Sequence, residues 1–231
     1  GPLNQDGSLR GRAVLASQDC DKCYSQGYAA QHTVFGTLEY DITPDTTLGA
    51  SLTHGQRKGG NKFGLPLWSD NSLPSRRAFV GVDKDSETDT LDTTLDLTHR
   101  FDNGWSARAA FNHRKQQYRG YGGYAVSSVD LATGLAPFSL GSAIHHDSTW
   151  NNADVSVTGP VEFLGREHHL TLGYTASRYE YFGGSRYVVG MAGQDVFKNH
   201  DYSDLLDQEI LSKTDEVNRQ SGLSTSGRFT P

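Results

Sequence analysis

The chain is a series of segments with a period of two, joined by connections that alternate between short and long. Residues 36–52, GTLEYDITPDTTLGASL, hold two such segments on either side of a Thr-Pro-Asp turn. Alternation of apolar and polar residues predicts β-strands with one apolar and one polar face. Similar segments give about eight strands, near 9–17, 32–42, 46–54, 90–101, 105–114, 152–159, 169–177 and 219–231. The sequence therefore predicts an all-β fold.

The lengths of the connections constrain how these strands are arranged. Three connections are short (around 43–46, 102–104 and 160–166), and the four between them are long (roughly 18–31, 55–88, 115–148 and 181–217). In an antiparallel up-and-down meander, alternate connections lie at the same end, so all the long ones would share one end. Long structureless connections are uncommon in compact domains. Short turns at one end and long loops at the other are typical of outer-membrane β-barrels.

The chemistry of the strand faces agrees with a membrane barrel, which is apolar outside and polar within. Hydrophobic residues make up only 35% of the chain, and no stretch approaches the roughly 18 apolar residues of a membrane helix. Aromatic residues beside the short turns fit an interfacial girdle, although aromatics also flank ordinary hairpins. They are Tyr40, Phe101, Trp105, Phe163 and Phe229. The predicted polar face carries Glu39, Asp41, Asp92, Asp96, Arg108, Asp154 and Arg228.

Five phrases, in this order along the chain, resemble one family. They are GPLNQDGSLRGR, FGTLEYDITPDTTLGASLTH, FGLPLWSDNSLPSRRAF, RFDNGWSARAAFNH and REHHLTLGYTASR. They are similar to the first part of the barrel in TonB-dependent outer-membrane ferric-siderophore receptors of the hydroxamate/pyoverdine-receptor-like group. The resemblance implies that residues 1–231 form the N-terminal part of a transmembrane β-barrel, which is 22-stranded in the intact family. It also implies that the plug domain and the later strands lie outside this chain.

The same resemblance implies a function. We expect an outer-membrane receptor that takes up a ferric siderophore, with outer-membrane lipid around it. In the intact receptor, the TonB complex would act through the absent plug. The sequence leaves open which siderophore is bound, and whether the substrate is instead a cobalamin, haem or sugar.

Candidate ligand-binding residues are the aromatic and arginine side chains of the second and third long connections. The iron of a ferric siderophore is already coordinated, so a receptor needs flat aromatic surfaces and a few donors or charges rather than metal ligands. Loop aromatics equally pack on each other to hold loops in place. The candidates are Phe63, Trp68, Arg76, Arg77, Tyr118, Arg119, Tyr121, Tyr124 and Trp150, with Tyr179 and Tyr181 as additions.

Other motifs point to no catalytic site, metal site or cofactor. Cys20 and Cys23 lack the βαβ context or second cysteine pair of a redox or zinc site, so a loop disulfide is the better prediction in an oxidising compartment. His168 and His169 would point to opposite faces of a strand, and His145-His146 is a weaker chelating candidate. The net charge is −6 with scattered basic residues, which predicts no nucleic-acid partner.

Two other interpretations remain open from the sequence. One is a complete eight-stranded outer-membrane barrel with a structural or adhesion role, in which the first and last strands pair. The other is a soluble β-rich binding domain, in which a second layer of protein covers the apolar face. Pairing of the sheet edges would favour the first, and burial of the apolar face would favour the second.

Overall fold

The computed structural model describes residues 1–21, 27–60, 66–75, 84–195, 198, 202 and 212–228. Nearly all of them belong to strands, and none of these residues lies in a helix that could span a membrane. The strands are β1 (Leu9–Asp21), β2 (Tyr28–Thr43), β3 (Thr46–Gly60), β4 (Asp85–Arg100), β5 (Ser106–Ala125), β6 (Leu135–Phe163), β7 (Arg166–Asp195) and β8 (Ser212–Arg228). The predicted all-β fold of about eight strands is confirmed.

All eight strands form one antiparallel sheet in the order of the sequence. Tight turns join β2 to β3, β4 to β5 and β6 to β7 at one end, so the other reversals lie at the opposite end, as predicted. The last of these turns holds Leu164 and Gly165 at φ values of 54° and 73°. Positive φ at both central residues matches the right-handed twist of a hairpin. We call the two ends the turn end and the loop end.

One face of the sheet is apolar and exposed, and we call it the outer face. Val34, Leu38, Leu95 and Val155 are all about half exposed on it. Among the described residues, no second layer covers this face, because each strand packs only against its neighbours in the sheet. So large an exposed apolar surface marks contact with a partner or with membrane lipid. The soluble-domain interpretation is therefore wrong.

Aromatic residues of the predicted girdle lie where that prediction places them. Tyr40, Phe101 and Phe163 are between 47% and 60% exposed near the turn end, and Phe101 packs edge-on against His99 with ring centroids 4.5 Å apart. Phe229 lies outside the described residues. Exposed rings at the margin of the apolar face are typical of the membrane interface.

The other face, which we call the inner face, is lined by polar side chains that bond across the strands. Arg10 donates to both carboxylate oxygens of Asp41, at 2.5 and 2.8 Å. Arg114 Nε lies 2.6 Å from Asp92, which also accepts a 2.7 Å hydrogen bond from the Asn112 amide. Apolar outside and polar inside is the arrangement of a membrane barrel rather than of a soluble sandwich.

The sheet is open. Among the described strands, β1 pairs only with β2 and β8 pairs only with β7. Residues 1–3 follow the free edge of β1 through a bridge between Pro2 and Arg10. The predicted alternative of a closed eight-stranded barrel is therefore wrong, because it requires β1 to pair with β8.

Several strands are much longer than the sequence predicted. β5 has 20 residues, β6 has 29 and β7 has 30, whereas about 9–11 residues cross the membrane core. Tyr118, Arg119, Tyr121 and Tyr124 therefore lie in β5 and Trp150 lies in β6, not in loops. Outside the membrane neither face of the sheet is required to be apolar. The alternation of apolar and polar residues therefore disappears from the sequence, although the backbone hydrogen bonds between the strands continue.

Candidate functional site

Five aromatic rings gather on the inner face, around the middle of β6 and β7 and in the loop-end half of β5. We call them the aromatic cluster: Tyr118, His146, Trp150, Tyr179 and Tyr181. His146 lies between Tyr118 and Tyr181, with ring centroids 5.7 and 5.2 Å apart. Tyr179 packs on Trp150 at 4.8 Å and on Tyr181 at 6.3 Å. The cluster is a continuous aromatic surface whose side chains are partly exposed.

Strand register places these side chains together. Tyr118 pairs with His146, and Trp150 pairs with Tyr179. Because side chains alternate between the faces of a strand, residues two or four positions apart in β6 and β7 share the inner face. Arg119 follows Tyr118 directly and therefore lies on the opposite side of β5, away from the cluster.

Two glycines let tyrosine rings of the cluster lie flat on the sheet. Gly120 and Gly183 each stand two residues beyond a tyrosine, on the same side of their strand. A Cβ at Gly120 would overlap the ring and hydroxyl of Tyr118, and one at Gly183 would overlap those of Tyr181. Because these two positions have no side chain, the rings of Tyr118 and Tyr181 can lie over them on the inner face.

Polar grooves border the aromatic cluster on the inner face. A pocket of about 130 Å³ is lined by Tyr118, Tyr28, Arg57 and Thr88. It borders a groove of about 530 Å³ that includes Arg57, Thr88 and Arg114. The Arg57 side chain is exposed, whereas Arg114 is already paired with Asp92. Aromatic faces thus stand beside hydrogen-bonding groups and one exposed guanidinium.

Two of the predicted ligand residues are partly buried against a small apolar core at the loop end. Trp68 and Tyr121 pack against a buried group of side chains. That group, which we call the loop core, consists of Val129, Ala136, Phe138 and Tyr202. Phe138 and Tyr202 stack with ring centroids 5.7 Å apart. For Trp68 and Tyr121 the structure gives the packing role that the sequence left as an alternative.

Backbone hydrogen bonds tie two connections together over the loop core. Ser69 N donates to Val129 O and Val129 N donates to Leu67 O, each at 2.8 Å. Each connection also has an aspartate-stabilised turn. Ser72 donates its hydroxyl and amide to Asp70, and Thr133 does the same to Asp130, which lowers the pKa of both aspartates. Residues 66–75 and 126–134 therefore form one structured unit.

The remaining predicted residues have separate outcomes. Tyr124 is 45% exposed in β5, away from the aromatic cluster. Cys20 is exposed at the loop end of β1. Phe63, Arg76, Arg77 and Cys23 lie outside the described residues, so the disulfide stays a prediction.

The histidines form no metal site in the described part of the chain. His168 is buried and its Nε2 lies 3.0 Å from the Phe163 carbonyl oxygen, while His169 is exposed. The two therefore occupy different environments, as predicted from their adjacent positions. His146 contacts aromatic rings instead of acting as a chelator.

Sequence reasoning missed two residues of this site, His146 and Arg57. Both lie in segments that the sequence predicts as long connections, and a residue in a connection cannot be assigned to a face of the sheet. The alternation of side chains along a strand could have found them, because residues an even number of positions apart share a face. His146 stands four positions before Trp150, and Arg57 stands four positions after Thr53. Continuing the strands would have placed each on the inner face.

Comparison with known proteins identifies relatives for the whole described sheet. No family model matches the chain. The chain is 31% identical to the ferripyoverdine receptor of Pseudomonas aeruginosa over 198 residues, which is 81% of this chain and 24% of the receptor. It also matches the ferric-pyoverdine M114 receptor of a Pseudomonas strain at 29% identity. The chain spans about a quarter of the length of these curated relatives.

Solved structures agree with the sequence comparison. FpvA of P. aeruginosa, in complex with a heterologous ferric pyoverdine, superposes with a TM-score of 0.85 at 26% identity, covering 100% of this chain and 32% of that one. The ferric-catecholate import receptor Fiu of E. coli shares the fold, with a TM-score of 0.80 at 8% identity, covering 98% of this chain and 35% of that one. These relatives are described as receptors, and the predicted outer-membrane location is confirmed. The chain is therefore homologous to ferripyoverdine receptors and corresponds to a segment of the β-barrel of TonB-dependent outer-membrane siderophore receptors.

Proposed function

We propose that this chain forms part of a receptor that binds and takes up a ferric siderophore of the pyoverdine class, and that the aromatic cluster contacts the chelate. The observation that carries the proposal is the position of the cluster. It lies on the inner face beside polar grooves, between the loop end and the middle of the sheet, where a ligand that has entered from the loop end would meet it.

The chemistry of the cluster suits such a ligand. A ferric siderophore presents a large organic surface around iron that is already coordinated. Aromatic faces contribute roughly 0.5–1.5 kcal/mol per contact, and the hydroxyls of Tyr118, Tyr179 and Tyr181 add hydrogen-bond capacity. Arg57 adds a positive charge at the groove. None of these groups needs to displace an iron ligand.

Uptake requires parts of the receptor beyond this chain. In the whole protein, energy delivered through the TonB complex would move a plug domain and admit the chelate. Support for this step comes from the relationship to ferripyoverdine receptors. No catalytic role is proposed, because those relatives are receptors.

The test uses the whole receptor that carries this segment, with Tyr181→Ala as the variant and Tyr174→Ala as its matched control. Both tyrosines lie in β7, but Tyr174 is 47% exposed on the outer face. Tyr181→Ala should weaken ferric-pyoverdine binding about tenfold, the loss expected for one stacked aromatic ring. Tyr174→Ala should leave the Kd unchanged. Binding of radioactive iron–pyoverdine to purified receptor, and its uptake by cells, would measure both.

Two results would count against the proposal. If both variants bind alike, the cluster does not contact the ligand. If the wild-type receptor ignores ferric pyoverdine but takes up a metal–pseudopaline chelate, the ligand of another relative, 24% identical, then the substrate class is wrong while the receptor function stands.

A further inference from the structure

A second groove lies on the outer face, between β5, β6, β7 and β8. Its volume is about 360 Å³. The floor is formed by Phe111, Ala153 and Ala176, and the rim toward the loop end is formed by Asn151, Arg178 and Arg219. The groove is thus apolar on one side and cationic on the other.

The two arginines stand directly opposite each other on β7 and β8. Like charges in directly opposed positions destabilise an antiparallel pair unless something compensates them. Arg178 has one partner, Glu180, at 2.5 Å. Arg219 is exposed and has no ion-pair partner within the described residues. Within the described residues, the pair therefore carries more positive charge than its neighbours neutralise.

The groove lies where the continuous apolar surface of the outer face gives way to mixed charged and apolar side chains, since exposed Val217 and Phe182 lie beyond the arginines on that face. Below it, toward the turn end, the outer face continues through Val155, Tyr174 and Leu223, each at least 45% exposed. Level with the arginines, the same face carries His113, hydrogen-bonded to Asn151 at 2.8 Å. A transition from apolar to cationic side chains marks the depth at which acyl chains end and lipid headgroups begin.

We propose that this groove binds one phosphate-bearing lipid of the outer leaflet. An acyl chain would lie along the small and apolar residues of the floor, and the phosphate would sit between Arg178 and Arg219. Guanidinium groups bind phosphate through two parallel hydrogen bonds and present five donors each. Arg178 can therefore hold Glu180 and the phosphate together. The lipid supplies the negative charge that the opposed arginines lack.

The experiment uses the whole receptor that carries this segment, purified in a neutral detergent and titrated with dioleoyl phosphatidate while bound lipid is counted by native mass spectrometry. Affinity should fall about tenfold in the double variant Arg178→Gln/Arg219→Gln. Arg228→Gln is the matched control, because Arg228 lies in β8 on the other face, and it should bind as the wild type does. Ala176→Phe fills the floor, keeps both arginines, and should also weaken binding.

Competitors identify what is bound. Dioleoyl phosphatidylcholine, which has no net charge, should bind at least tenfold more weakly than phosphatidate, and millimolar inorganic phosphate should not displace the lipid. Unchanged phosphatidate binding in the double variant would overturn the proposal. Displacement by inorganic phosphate, with no effect of Ala176→Phe, would show a free-anion site and overturn it equally. Siderophore binding is a separate readout, so the outcome is independent of the proposed receptor function.

Discussion

The assignment of inner and outer faces can be tested at two neighbouring alanines in β5. Ala109 lies on the outer face between Leu97 and Val155, at the centre of the apolar surface on this strand. Ala110 lies on the inner face between Asp96 and Asp154. Ala109→Arg and Ala110→Arg therefore introduce the same charge one residue apart, into lipid in one case and between two carboxylates in the other.

The expected changes in the free energy of unfolding differ in size. An arginine on the lipid face at the bilayer midplane costs about 2–4 kcal/mol. At position 110, each flanking carboxylate would contribute roughly 0.2–1 kcal/mol, and ordering the arginine side chain would cost about as much. Ala110→Arg should therefore change the free energy of unfolding by less than about 1 kcal/mol. The two variants should differ by at least about 1 kcal/mol, roughly fivefold in the folding equilibrium.

Urea titration of the whole receptor in phospholipid vesicles, followed by tryptophan fluorescence, would measure both values, because urea is uncharged and leaves the ionic strength free to vary. Salt provides an internal check, because the ion pairs at position 110 weaken with ionic strength while the lipid penalty at position 109 does not. If Ala110→Arg proves as destabilising as Ala109→Arg, or if Ala109→Arg is neutral, then the apolar face does not contact lipid and the barrel interpretation fails.

Three further outcomes are expected. Gly183→Ala should displace the Tyr181 ring and weaken ferric-pyoverdine binding without changing the fold, whereas Gly222→Ala, with open space at its Cβ, should do neither. Phe138→Ala should cost about 3–5 kcal/mol locally; hydrogen exchange should rise in the loop core while the melting temperature of the barrel is unchanged. Because the pKa of Asp130 is lowered in the folded state, its turn is stabilised above the unfolded pKa and loses that stabilisation as the pH falls through the folded pKa. Exchange in residues 126–134, corrected for intrinsic rates, should increase only in that acidic range, and Asp130→Asn should show the increase at pH 7.

The sequence predicts the part of the fold that contacts lipid and misses the part that does not. The hairpin at residues 36–52 is correct because each strand there must present an apolar face to the bilayer. β6 was predicted to begin near residue 152 and begins at Leu135. Backbone hydrogen bonds to β5 and β7 hold its first half. Such bonds leave no alternating pattern of side chains in the sequence.

The candidate site shows the same division. Residue type alone selected Tyr118 and Trp150, with Tyr179 and Tyr181 as additions, and the structure brings these rings into one group. Type alone could not separate them from Tyr121, which packs on the loop core. Separating them needs the register of β5 against β6, because adjacent residues in one strand serve opposite sides of the sheet.

The location of the apolar core separates two sets of aromatic residues, one in the loop core and one in the aromatic cluster. Within the membrane the sheet needs no dry interior, because lipid covers its apolar face, and the fully buried hydrophobic residues that the structure describes all lie in the loop core. Beyond the lipid, long strands and their connections would lack any apolar burial to offset the entropy of ordering them. Val129, Phe138 and their neighbours provide that burial. They hold residues 66–75 and 126–134 in one arrangement. For the proposed receptor function, a loop end that is ordered in advance would lower the cost of binding a ligand.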